Sequence, residues 1–80
     1  MLIKFKTRDS VSTMRISDTE EAVWRAICKA DEESLNETVA WLWDKHNRTT
    51  WAAGEVPGFT QWARDQFLIR AASGEWFGSL

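Results

Sequence analysis

Two Ser-x-x-Glu tetrads, Ser17-Asp18-Thr19-Glu20 and Ser34-Leu35-Asn36-Glu37, constrain this chain more than any other feature. In such a capping box the serine hydroxyl accepts from the third helical N–H, and the glutamate returns to the cap N–H. The pair predicts helix starts after residues 17 and 34 and leaves residues 1–16 outside both helices. Glu20 and Glu21 also lie where the helix dipole favours anions. Helix one is predicted over 18–30, with Val23, Ala26, Ile27 and Ala30 as its 3–4-spaced apolar face. Helix two is predicted over 35–46, with the stripe Leu35, Val39, Leu42, Trp43 and His46. The link 31–34 is short, so these helices pack side by side in antiparallel fashion.

The first sixteen residues follow a different period. Ile3, Phe5 and Thr7 alternate with Lys4, Lys6 and Arg8, and Ser12, Met14 and Ile16 alternate with Thr13 and Arg15. Arg8-Asp9-Ser10 between them is turn-forming. This predicts a β-hairpin with strands at 2–7 and 11–16 and an apolar face of Ile3, Phe5, Met14 and Ile16. Two strands alone are marginal in water, so that face needs a cover.

Beyond helix two, Thr49 or Thr50 is expected to cap a short turn through Trp51-Ala52-Ala53, stopped by Gly54. Val56-Pro57-Gly58 breaks any helix running into it. Helix three is predicted over 58–72, with Phe59, Trp62, Ala63, Gln66, Phe67 and Arg70 on one face and Ile69 at its margin. Ser73-Gly74 ends it as a left-handed cap. The tail 75–80 carries Trp76, Phe77 and Leu80 as apolar anchors and is expected to dock, with a third short strand as one arrangement. The fold class is α+β: one small domain, 1–80, in which an N-terminal antiparallel hairpin packs against three helices.

Composition supports such a domain. Hydrophobic residues make up 44% and charged residues 28%, as in a globular chain rather than a disordered one. Six Trp and four Phe compensate for small size where a single Cys excludes an internal disulfide. No apolar run approaches the roughly 18 residues that a membrane span requires. The strict alternation at the start does not resemble a signal peptide. A free Cys28 suits a reducing compartment, which makes the cytoplasm the expected location.

Residues for catalysis are sparse. Cys28 and His46 could form a thiolate–imidazole pair, but Cys28 lies near the apolar face and His46 at a helix C-terminus. One His and one Cys fall short of a zinc ligand set. The acids cluster at helix starts, and the glycines match no phosphate or dinucleotide loop. No enzyme activity, metal or cofactor is expected.

Two surfaces remain. Trp41 and Trp43 are about 200° apart around a helix, so both cannot face one core. With Trp43 inside, Trp41 turns towards Glu37, Thr38 and Lys45, and Leu68 is a similar outlier beside Gln61 and Arg64. Trp41, Glu37, Lys45, Leu68 and Arg64 are therefore the expected protein-binding residues. Trp41 needs a cover: the chain's own loop or tail, a second copy, or a partner. The other surface is basic. Lys4, Lys6, Arg8 and Arg15 line the outer hairpin face, where they could contact nucleic acid. The net charge of −2 and the acids of residues 18–44 argue against that. The leading expectation is a small non-catalytic module that binds a larger protein or protein complex, of the kind used as an inhibitor or accessory factor by a phage or other mobile element. Nucleic-acid binding by the hairpin is the alternative, and a homodimer the third.

Overall fold

A computed structural model describes residues 1–77 of the chain. Two strands, β1 (Leu2–Lys6) and β2 (Val11–Arg15), are followed by three helices, α1 (Asp18–Ala30), α2 (Leu35–Arg48) and α3 (Phe59–Ser73). The strands pair antiparallel with Ile3 opposite Met14 and Phe5 opposite Ser12. That register puts Ile3, Phe5, Met14 and Ile16 on one buried face, as the period-two pattern requires. Thr7 clamps the hairpin tip: its hydroxyl donates to the Ser10 carbonyl and accepts the Ser10 N–H.

The two caps differ. Ser17 forms the full box: its hydroxyl accepts the Glu20 N–H at 3.1 Å, and the Glu20 carboxylate accepts the Ser17 N–H at 2.9 Å. Ser34 accepts the Glu37 N–H at 3.1 Å, but the reciprocal glutamate bond is missing, so the second box is half formed. α2 runs two residues past the expected end because Thr49 closes it instead of opening a new turn. The Thr49 N–H and hydroxyl both donate to the Lys45 carbonyl. The following turn closes between Ala52 and Glu55, with Gly54 at φ 77°. Gly74 ends α3 in the left-handed region at φ 80°, as expected.

The face expected for α1 is wrong by about one residue of rotation. Val23 is 48% exposed, while Trp24 and Cys28 are buried. Both sets have helical spacing, and the larger ring wins the interior. Trp24 stacks on Phe67 of α3 with centroids 4.0 Å apart and planes 8° apart. At either end of this stack an acid of the α1 region meets an arginine of α3: Glu20 with Arg64 at 2.8 Å, and Asp31 with Arg70 at 2.6 Å. The order of these three contacts is the same along both segments, so α1 and α3 run in the same sense.

Every Trp and Phe of the chain belongs to one connected set of rings. It runs from Trp24 through Phe67 and Trp76 to Trp41, then through Phe77 to Trp62. From there it continues to Trp51, Phe59, Trp43 and finally Phe5 on β1. His46 sits within the set, against Trp51, Phe59 and Trp62. Its Nε2 donates to the Pro57 carbonyl at 2.8 Å, which ties the irregular 49–58 segment to α2. The Trp51 indole N–H adds a bond to the His46 carbonyl at 3.1 Å. Trp76 and Phe77 dock as expected, within a turn rather than a strand. Leu80, the remaining expected anchor, lies outside the described residues.

Candidate protein-binding surface

α2 presents opposite sides to two environments. Val39 and Leu42 are fully buried and His46 nearly so, which sets the inward stripe. Helical geometry then carries Trp41 outward, where it is 45% exposed. Its buried half is covered by the tail: the Trp76 ring meets it edge-on at 5.8 Å and 69°, and Phe77 lies at 5.5 Å. Lys45, one turn on, places its Nζ 5.3 Å from the centre of the Phe77 ring, a cation–π distance. Glu37, one turn back, is exposed. Thr38 departs from the expected outward side. It is buried, and its hydroxyl donates to the Ser34 carbonyl.

Trp41 borders an open groove of about 620 Å³ between the start of α2 and the end of α3. Asp31, Glu33, Glu37, Glu75 and Arg70 supply its charged walls, and Trp41 and Trp76 its aromatic ones. Asp31 is fully engaged. One carboxylate oxygen accepts from Arg70 and the other accepts the Trp76 indole N–H at 3.1 Å. The Arg70 hydrogen bond holds the Asp31 carboxyl below its ordinary pKa; burial opposes it, and the Trp76 hydrogen bond and the Arg70 charge add to the lowering. Asp31 therefore anchors the tail that covers Trp41.

The other two expected contact residues lie elsewhere. Leu68 is 68% exposed on α3. Arg64 is half-buried, and its guanidinium is committed to Glu20 and to the Arg15 carbonyl at 3.3 Å. The structure thus joins Trp41, Glu37 and Lys45 into one surface with Trp76, Phe77, Glu33 and Glu75, and leaves Arg64 in the scaffold. The sequence signal for Trp76 was its apolar character in a short tail. Nothing local to residue 76 shows that it meets Trp41.

Lys4, Lys6, Arg8 and Arg15 are all exposed on the outer side of the hairpin or at its tip. None of them forms an ion pair among the described residues. Cross-strand neighbours on that face are Leu2 with Arg15, Lys4 with Thr13 and Lys6 with Val11, so apolar and basic groups are interleaved.

No hydrogen bond joins Cys28 to His46. The thiol is buried, and desolvation pushes its pKa up, opposed by a hydrogen bond with Thr38. The His46 ring is held by aromatic neighbours and Pro57. No three His, Cys, Asp or Glu side chains are grouped to hold a metal ion among the described residues. No described helix is long and apolar enough to cross a membrane. Compared with known proteins, the chain matches no family model, no curated protein and no solved structure.

Proposed function

We propose that this chain is a non-catalytic interaction module that binds a larger protein or protein complex through the surface centred on Trp41. The observation that carries the reading is the half-exposed indole. The tail rings and Asp31 build a rigid support behind Trp41, yet 45% of the residue stays open to solvent. A pre-organised aromatic side chain with an open face binds at low entropic cost, and such residues dominate binding hot spots. Glu37 and Lys45 flank it and supply the polar rim that such interfaces have. The small size and single domain suit a cytoplasmic inhibitor or accessory factor carried by a phage or other mobile element, for example one that occupies a host defence complex.

The test is capture of partners from the native or host cell by the wild-type chain and by Trp41→Ala, with nuclease treatment in parallel. The reading expects a nuclease-resistant protein partner that the variant loses by about 2 kcal/mol or more. Because half of Trp41 is already buried, the variant should also lose about 2 kcal/mol of folding stability, roughly half the cost of a core aromatic. Unchanged partner binding by a folded variant would refute the reading.

A second reading rests on the unpaired cations of the hairpin. Its outer face could follow a phosphate backbone, and binding would then fall steeply with salt. The net charge of −2 disfavours it. Material captured only without nuclease would reverse the order of the two readings.

A further inference from the structure

We infer that the groove beside Trp41 receives a cationic side chain, an arginine or lysine presented by the protein partner; this rests on the module reading above. Three observations point to a cation. The groove walls carry four carboxylates, Asp31, Glu33, Glu37 and Glu75, against one guanidinium, that of Arg70. Arg70 is already neutralised by Asp31 at 2.6 Å. The Glu33, Glu37 and Glu75 carboxylates form no ion pair or hydrogen bond among the described residues, so the unbalanced charge is negative.

The aromatic walls fit the same chemistry. Trp41 and Trp76 meet edge-on at 69° with centroids 5.8 Å apart, and both line the groove. A cation is drawn to the face of an aromatic ring through its quadrupole, and Trp is the strongest of the three aromatic residues. The pair is pre-set: the Trp76 N–H is fixed on Asp31, and its ring is braced edge-on by Phe67 at 5.0 Å. The aromatic cluster already attracts one cation, since Lys45 lies over Phe77 on its other flank. The groove volume of about 620 Å³ is ample for one long side chain and its flanking backbone. A partner segment bearing an exposed Arg or Lys satisfies shape, charge and ring geometry together.

The probe is a capped hexapeptide of alternating Arg and Gly, titrated into the whole isotope-labelled chain. The control is the same peptide with Glu in place of Arg, at matched ionic strength. The indole N–H resonances of Trp41 and Trp76 are followed by NMR. We expect saturable shifts of both with the Arg peptide only, weakening as salt rises. Trp41→Leu, which keeps apolar bulk but removes the ring quadrupole, should weaken binding about tenfold. Glu33→Gln with Glu37→Gln alters no contact of the fold and should weaken it about fivefold at low salt. Equal shifts with the Glu peptide, or no shift at millimolar Arg peptide, would overturn the inference. So would concentration-dependent self-association that places the basic hairpin of a second copy in the groove. A photo-cross-linker in place of Glu75, which lines the groove and whose carboxylate has no partner among the described residues, keeps Trp41 and separates this inference from its parent. A cross-linked partner segment rich in Arg or Lys supports it. A neutral or acidic segment overturns it and leaves the module reading standing. Nuclease-sensitive capture alone overturns both.

Discussion

Truncating Trp24 asks which face of α1 is inside. Trp24 is 3% exposed and stacks on Phe67, whereas its neighbour Val23 is 48% exposed. Removing a buried Trp costs about 3–5 kcal/mol through lost transfer energy and the cavity left behind. Losing the ring stack adds about 0.5–1.5 kcal/mol. A domain of this size holds only about 4–12 kcal/mol in total. Trp24→Ala should therefore remove from roughly a third to all of the stability, about 3.5–6.5 kcal/mol. Val23→Ala should cost under about 0.5 kcal/mol, as an exposed helix position does. Trp24→Phe should recover much of the loss, because a six-membered ring can still stack on Phe67. Urea denaturation read by far-UV ellipticity suits the comparison, since it does not depend on the indole removed. If Val23→Ala costs as much as Trp24→Ala, α1 is rotated and its ladder to α3 is misplaced.

Glu20 and Glu37 occupy equivalent positions in their tetrads but carry different loads. Glu20→Ala should cost about 1–2 kcal/mol by losing the cap bond and the Arg64 contact, and Glu37→Ala under about 0.5, both read as shifts in the urea midpoint. Glu32 turns the chain after α1 in the left-handed region at φ 58°, with the Glu33 N–H on the Cys28 carbonyl at 2.9 Å. Glu32→Gly should therefore stabilise the fold by about 0.5–1 kcal/mol in the same assay, and a loss would show the strain to be absent. Acid should weaken the chain. The Ser17 N–H and Arg64 hold the Glu20 pKa low, and Arg70 and Trp76 hold that of Asp31 low. Both carboxylates stabilise the fold above the ordinary carboxylate range, and that contribution is lost as pH falls through their depressed folded values. Glu20→Gln and Asp31→Asn should each flatten the stability–pH profile below that range. Reversing Lys4, Lys6 and Arg15 to Glu should leave the thermal midpoint nearly unchanged, since all three are solvated. A large drop would show that the hairpin face packs on something.

Sequence alone determined the features that depend on a residue and its near neighbours. Period-two alternation specified the hairpin register, because a one-residue slip would expose Ile3 and Phe5. Ser17 and Ser34 marked two helix starts through bonds that span only three residues. The α2 stripe was legible for the same reason: of the expected row Leu35, Val39, Leu42, Trp43 and His46, all but Trp43 are buried, and Trp43 packs partly buried against the core. α1 offered two rows, Val23 with Ala26 and Trp24 with Cys28, and periodicity could not rank them. Phe67, far along the chain, supplied the flat surface that selected Trp24. Arg64 looked free on its own helix and was claimed by Glu20, a residue already explained as a cap. The environment of Trp41 was decided in the same way. Helical geometry placed it off the core, but how far it stays open depends on Trp76 and Phe77, which arrive from the end of the chain and are pinned by Asp31. Contacts between segments so distant in sequence leave no local signature, because the burial and charge pairing that favour them exist only once the helices have packed.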